Sequence, residues 1–373
     1  MSTLLLEKEK MPRDKLCGGG VTPKVLKLLD FQLPDDVIEC APKSIRIHVG
    51  QKCFKFQTQH PLVYMTSRSK FDSLLYKKAA EAGVEAKDET PARSVEIRPA
   101  CAEVTTTNGC FQSKMVIGAD GMGGPTARSL RLYQSWNPSQ VDYAIEAEVT
   151  IGEKAVLDFM EDQEYFDIYF GVSQAGYGWI FPKDNHLTVG VGCRLSKLRD
   201  AQELFHNFVK AIPELEGLDI PKPKAHLIPL GGSAPVPLTV ERTLLAGDSA
   251  GFAEPLLGEG IYFAILGGQI AAEIVQEASR VSRFDQDFLS SYVRRCHKEF
   301  GADFDIAYRV ACFSYLEQYD MDRVARFFFS EKKVQECMVG LICGTMRYRD
   351  VQSKLMWQYL KYRMAKLGFP FYS

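Results

Sequence analysis

Residues 244–261 read Leu-Leu-Ala-Gly-Asp-Ser-Ala-Gly-Phe-Ala-Glu-Pro-Leu-Leu-Gly-Glu-Gly-Ile, and their order decides the kind of fold to expect. A short apolar strand, Thr243 to Ala246, runs into Gly247-Asp248, and a long helix rich in small residues is predicted from about Gly258. On its own, a strand that ends in Gly-Asp before a helix is a common turn. Here Asp248 at the strand end can accept hydrogen bonds from sugar-like hydroxyls. The helix start offers unpaired backbone N–H groups and a positive dipole end to an anion. A reduced flavin is such an anion, with negative charge over N1 and the C2 carbonyl. The segment therefore suits the ribityl and isoalloxazine end of FAD.

Three other pieces fit the same ligand. Leu4-Leu5-Leu6-Glu7 reads as a buried strand ending in an acid, and Glu7 is placed to bond adenosine ribose hydroxyls. Short strands are predicted at Val95–Arg98, Ala102–Thr106 and Phe111–Ile117, with Asn108-Gly109 as a tight turn between the last two. Gly118-Ala119-Asp120-Gly121 closes that meander; its small residues allow close backbone approach, and Asp120 counts among the cofactor-binding residues. Arg68, on a helix ending near Gly83, can pair with a cofactor phosphate or ring edge. Pro12–Gly20 forms a glycine-rich loop before a short helix opened by Thr22-Pro23. Within it Cys17 reads either as a reactive thiol near the flavin, the one candidate catalytic side chain, or as a small packing residue.

From about Tyr143 to Pro229 the chain changes character. Alternating strands at Ile145–Thr150, Phe166–Phe170, Gly178–Phe181 and Leu187–Cys193 precede a helix near Ala201–Ala211. Along one strand Tyr177, Trp179 and Phe181 share a face. They read as a substrate-binding aromatic wall that can hold an apolar polyene against a flavin, or as a plain sheet core. The expected fold is mixed α/β. A Rossmann-like FAD-binding domain comes from residues 1–44, 66–135 and 236–283, and a C-terminal helical region from 284–373. An inserted antiparallel-sheet substrate domain is assigned to residues 45–65 and 136–235.

Composition narrows the class. With 373 residues there is room for two domains, and a net charge of −2 leaves no basic excess for nucleic acid. Ten scattered cysteines with no C-x-x-C pair resemble neither a secreted disulfide framework nor a zinc site, and no metal is expected. No signal-peptide layout and no apolar run of ~20 residues occurs, so a soluble, cytoplasmic protein is expected. Lys354–Tyr372 carries Met356, Leu360, Met364 and Leu367 at helical spacing beside Lys354, Lys361, Arg363 and Lys366. That pattern reads as a helix docked on the protein body or as a peripheral membrane contact. Cys312, Cys337 and Cys343 are expected to be buried.

Taken together, the chain resembles the geranylgeranyl reductase family of FAD-dependent oxidoreductases, within the para-hydroxybenzoate-hydroxylase-like flavoproteins. Pro12–Gly20 is similar to the family's P-x-x-K-x-C-G-G loop, and Gly118–Gly121 and Gly247–Ile261 to its two later flavin motifs. Tyr177-Gly178-Trp179-Ile180-Phe181-Pro182-Lys183 fits its Y-x-W-x-F-P-K signature at every defined position. The resemblance implies that Glu7, Cys17, Gly18, Gly20, Arg68, Asp248, Gly260 and Ile261 contact FAD, and that Trp179 lines a lipid pocket facing the flavin. It also implies reduction of C=C bonds in geranylgeranyl chains of lipids or prenyl diphosphates. The external reductant stays open between NAD(P)H and a ferredoxin-like donor, because no second nucleotide fingerprint is present.

One departure stands out. A dinucleotide fold begins with a strand and a G-x-G-x-x-G turn, whereas this chain starts at what corresponds to the second strand. A βα unit of roughly 30 residues is expected upstream, in a truncated gene model or beyond a misassigned start. If the chain is genuine as written, FAD binding is expected to be weak or lost. Two rival expectations follow: a flavin monooxygenase of an aromatic or polyketide, and a non-catalytic remnant.

Overall fold

The computed structural model describes residues 2–133, 135–162, 164–232, 237–316, 332–354 and 357. Seven strands form its largest sheet, in the order Lys224–Pro229, Val141–Thr150, His186–Arg194, Tyr177–Pro182, Tyr165–Phe170, Ser44–Val49, Lys52–Gln57. All neighbours run antiparallel except Tyr165–Phe170 and Ser44–Val49, which pair in parallel. The period-two pattern explains the two faces. On one face Ile145, Ala147, Ile180, Val189 and Val191 pack against Phe205 and Phe208 of the helix Ala201–Lys210. Asp200 starts that helix by accepting from the backbone N–H groups of Gln202 (2.8 Å) and Glu203 (3.0 Å). The other face carries Tyr177, Trp179 and Phe181 beside Gly190 and Gly192, with Glu146 and Glu148 one strand further.

The remaining strands make small sheets. Leu4–Leu6 pairs in parallel with Glu85–Lys87, and Val116–Gly118 in parallel with Thr243–Leu245. Two strand expectations need correction. Leu4–Leu6 is not buried: it pairs on one side only, and Leu5 is 36% exposed. The predicted strand Phe111–Ile117 is two strands in different sheets, Gly109–Ser113 in the meander and Val116–Gly118 beside Thr243–Leu245. The Arg242 guanidinium donates to the carbonyls of Lys114 (3.2 Å) and Pro99 (2.9 Å), while its own carbonyl accepts from Val116 N–H at 2.9 Å. These bonds carry the chain out of the meander, so Gly118–Gly121 ends a parallel strand.

That strand end has little room. A Cβ at Gly118 would lie 2.7 Å from Thr126 Cγ2 and 2.9 Å from Leu245 Cδ2. Beyond it, Asp120 accepts from Thr126 N–H (2.7 Å) and from Ser249 Oγ (3.0 Å), capping the helix Pro125–Ser129 and tying it to the segment after Thr243–Leu245. An Asp120→Ala variant is expected to lose about 1–2 kcal/mol of stability, the usual cost of a lost cap with a second bond, read as a lower urea midpoint at unchanged slope.

The helix Ile261–Val281 buries Phe263, Ile270, Ala271, Ile274 and Ala278 against Leu244 and Leu245. Burial of each such side chain contributes roughly 1.5–3 kcal/mol. Tyr292, fully buried on the helix Gln286–Cys296, donates to the Leu245 carbonyl at 2.7 Å and locks the helices to that strand. Helices Ala302–Leu316 and Lys332–Cys343 follow. Cys337 is buried there, whereas Cys312 and Cys343 are only partly so. No helix among the described residues is long and apolar enough to cross a membrane. The amphipathic pattern of Lys354–Tyr372, Lys354 and Trp357 apart, lies outside the described residues.

Candidate active site

The aromatic face of the large sheet is covered by two loops. Phe181 and Trp179 lie under the first, residues 12–20: a Cβ on Gly18 would come within 2.7 Å of Phe181 Cδ2 and 3.4 Å of Trp179 Nε1. Tyr177 lies under the second, residues 254–260, where its hydroxyl donates to the Leu257 carbonyl at 2.5 Å. Glu254 shapes this second loop by accepting from the N–H groups of Leu256 (2.9 Å) and Leu257 (2.6 Å). Burial pushes its carboxyl up to about 7, against the pull of those two amides and Tyr348. Thr22 Oγ1 donates to Glu259 at 2.7 Å and Lys24 pairs with the same carboxylate, so the second loop is tied to the helix that follows the first.

Lys183 fastens the first loop from below. Its Nζ is buried and donates to the carbonyls of Gly18 (2.6 Å) and Thr66 (3.1 Å). Burial lowers its pKa despite the carboxylates Glu148, Glu39 and Glu146 around it. Gly19 is held beside it at φ +74, and a Cβ there would sit 1.9 Å from the Thr66 carbonyl oxygen, so only glycine fits.

The structure ties the charged candidates to partners that sequence reading missed. Glu7 accepts from Arg13 Nε at 3.1 Å, and Arg13 Nη1 donates to Asp72 at 2.9 Å. Arg68 grips Asp72 through two bonds of 2.7 and 2.8 Å. Burial disfavours its charge, but Cys17 and Asp72 outweigh that and raise its pKa. Asp248 accepts from Lys15 Nζ at 3.0 Å, with His226 Nε2 at 3.8 Å. Burial would raise the Asp248 carboxyl, yet His226 and Lys15 hold it well below the usual carboxylate range. Asp72 stands four residues after Arg68, a spacing that signals a helical ion pair. Lys15 and Arg13 gave no comparable signal: Asp248 and Asp72 are distant in sequence, and Glu7, six residues before Arg13, is not at a helical spacing. Asp120 is tied likewise: its carboxylate is committed to Thr126 and Ser249.

These residues suit an anionic ring system with a hydroxylated tail. The 21-residue helix Ile261–Val281 starts at Gly260 with no side-chain cap, so its first N–H groups are available to a ligand. A Cβ on Gly260 would meet only Asp248 Oδ1, at 3.9 Å, and Cβ atoms on Gly121 and Gly123 would meet nothing within 4 Å. Open glycines, uncapped amides and a charged carboxylate at one strand end are what the flavin half of FAD requires.

Known proteins place the chain among relatives. A family profile for the geranylgeranyl reductase catalytic domain matches residues 147–219. The chain is 29% identical over 333 residues to chloroplastic geranylgeranyl diphosphate reductase of Nicotiana tabacum, covering 82% of this chain and 68% of that protein. It is 29% identical over 358 residues to digeranylgeranylglycerophospholipid reductase 1 of Methanopyrus kandleri, covering 90% of this chain and 89% of the relative. A crystal structure of a geranylgeranyl bacteriochlorophyll reductase-like protein from Thermoplasma acidophilum superposes with a TM-score of 0.81 at 22% identity, over 96% of this chain and 93% of the other. The profile and these relatives show an FAD-dependent oxidoreductase, and its fold has a Rossmann-like region, an inserted sheet and C-terminal helices. Within that class the chain is similar to the geranylgeranyl reductases, whose catalytic-domain profile it matches over residues 147–219.

Proposed function

We propose that this protein reduces C=C bonds of geranylgeranyl-type prenyl chains, carried by phospholipids or prenyl diphosphates, with FAD as its bound cofactor. The observation that carries the reading is the seating of Tyr177, Trp179 and Phe181 beneath the two loops that adjoin Asp248 and the open helix start. Bound FAD supplies the hydride that one alkene carbon accepts. The chain's own part is to bind, orient and keep water out. In this reading Glu7, Cys17, Gly18, Gly20, Arg68, Asp248, Gly260 and Ile261 hold the cofactor. The N–H groups at the start of Ile261–Val281 stabilise negative charge on its ring. An isolated alkene is a poor hydride acceptor, so alignment along an apolar wall is the main help a protein can give. Tyr177, Trp179 and Phe181 provide that wall, and Cys17 adjoins Gly18, which lies against Phe181 and Trp179. Electrons arrive from NAD(P)H or a ferredoxin-like donor, and the prenyl chain is taken at the surface of a membrane or from solution, in the cytoplasm.

The test is anaerobic incubation of the FAD-reconstituted chain, reduced with dithionite, with geranylgeranyl phospholipid and with geranylgeranyl diphosphate. Mass spectrometry should show products gaining two hydrogens per double bond. Asp248→Ala should weaken FAD binding by about tenfold or more, the loss of one charge-assisted acceptor, measured by flavin fluorescence titration. Unchanged lipids under these conditions, with an oxygenated aromatic formed in air, would establish the monooxygenase instead.

A further inference from the structure

An acid is buried in the same cross-strand row as Trp179. Glu146 pairs with Gly190, and Gly190 pairs with Trp179. A Cβ at Gly190 would lie 2.3 Å from Trp179 Cζ2 and 2.8 Å from Glu146 Cβ, so the indole crosses the bare glycine to reach the acid. Glu146 is 2% exposed. Trp179 Nε1 is also buried and makes no full hydrogen bond.

The charged and titratable groups around Glu146 come from every side. Glu148 stands on the same strand and accepts from Thr188 Oγ1 (2.8 Å) and His186 Nε2 (3.1 Å). Lys183 follows the aromatic strand and Cys17 belongs to the covering loop. Lys224 is in register on the next strand, with its Nζ on Asp14 at 3.0 Å. Burial and then Glu148 push the Glu146 carboxyl up to about 7, against Lys183, the Cys17 amide and the Trp179 side chain. Near neutral pH, therefore, this acid exists in both protonated and ionised forms.

Resting on the prenyl-reductase reading, we propose that Glu146 is the proton source for the second alkene carbon, delivered at the aromatic wall beside Trp179. In the balanced step the carboxyl O–H bond breaks and a C–H bond forms from the alkene π pair. The other carbon receives the hydride with its electron pair. Water reprotonates the carboxylate, and a nicotinamide or ferredoxin-class donor replaces the two electrons. Position and protonation state are what a general acid needs, and such groups contribute about 10²–10⁴-fold.

The experiment compares wild type, Glu146→Gln and Glu146→Asp, each reconstituted with FAD and assayed on geranylgeranyl phospholipid from mildly acidic to mildly basic pH. Wild-type kcat should fall as pH rises through about 7, because the acid must carry its proton to act. Glu146→Gln should lose about 100-fold in kcat with KM within about twofold and no such limb, and Glu146→Asp should recover part of the rate. A readout without cofactor is tryptophan fluorescence, which should titrate near neutrality in wild type and not in Glu146→Gln. A Glu146→Gln enzyme with wild-type kcat and pH profile overturns the role of Glu146 while leaving the function intact. A wild type that reduces no prenyl double bond overturns the function, and this role with it.

Discussion

Replacing Lys183 with methionine is expected to lower the unfolding free energy by about 3 kcal/mol at neutral pH. The methionine stem fills much of the lysine volume, so the loss comes from the head group. Without Nζ, the carbonyls of Gly18 and Thr66 lose a buried donor, and each unpaired group costs about 1–3 kcal/mol. The loop then keeps the Thr66 N–H bond to the Gly19 carbonyl at 2.9 Å and the antiparallel pairing of Gly20 with Met65. Urea denaturation should show a lower midpoint at constant slope, and limited proteolysis should open first near residues 13–18. A loss below about 1 kcal/mol would mean that Lys15 on Asp248 and Arg13 on Glu7 and Asp72 hold the loop without it.

Gly190→Ala is expected to cost about 2–3 kcal/mol and to displace Trp179. A methyl group 2.3 Å from Cζ2 and 2.4 Å from Cε2 of the indole cannot be tolerated in place. Backbone movement is resisted as well, because Gly190 is paired on both sides, to Glu146 and to Trp179. The ring must therefore swing away, taking with it the contact against Gly18. Near-ultraviolet circular dichroism should report the moved indole, and prenyl reduction should fall with it. An alanine variant of wild-type stability and spectrum would show that the sheet bows to make room.

Several parts of the site are legible in the sequence alone. The strand–Gly–Asp–helix order around Asp248 was visible because strand, turn and helix each carry a local signal, and the structure builds Thr243–Leu245 and Ile261–Val281 there. The shared face of Tyr177, Trp179 and Phe181 followed from alternation alone, and all three meet the covering loops on that face. The family motif contained Lys183 without revealing its work, because a lysine after a strand reads as solvated until its carbonyl partners are known. Likewise the acids in Val141–Thr150 alternate as if they faced water.

What the sequence by itself determined is therefore the set of local devices: the Asp248 turn, the helix start, the glycine loop and the aromatic strand. Each is encoded within about ten residues by backbone preference and side-chain period. Only the tertiary structure decided which of them bear on one another. It moved Val116–Gly118 out of the meander, since Arg242 bonds two carbonyls from separate segments. It also laid Trp179 across Gly190 onto Glu146, 33 positions earlier in the chain. Burial and charge act through space, and strand register, which sets the distances, is fixed only when the whole sheet has formed.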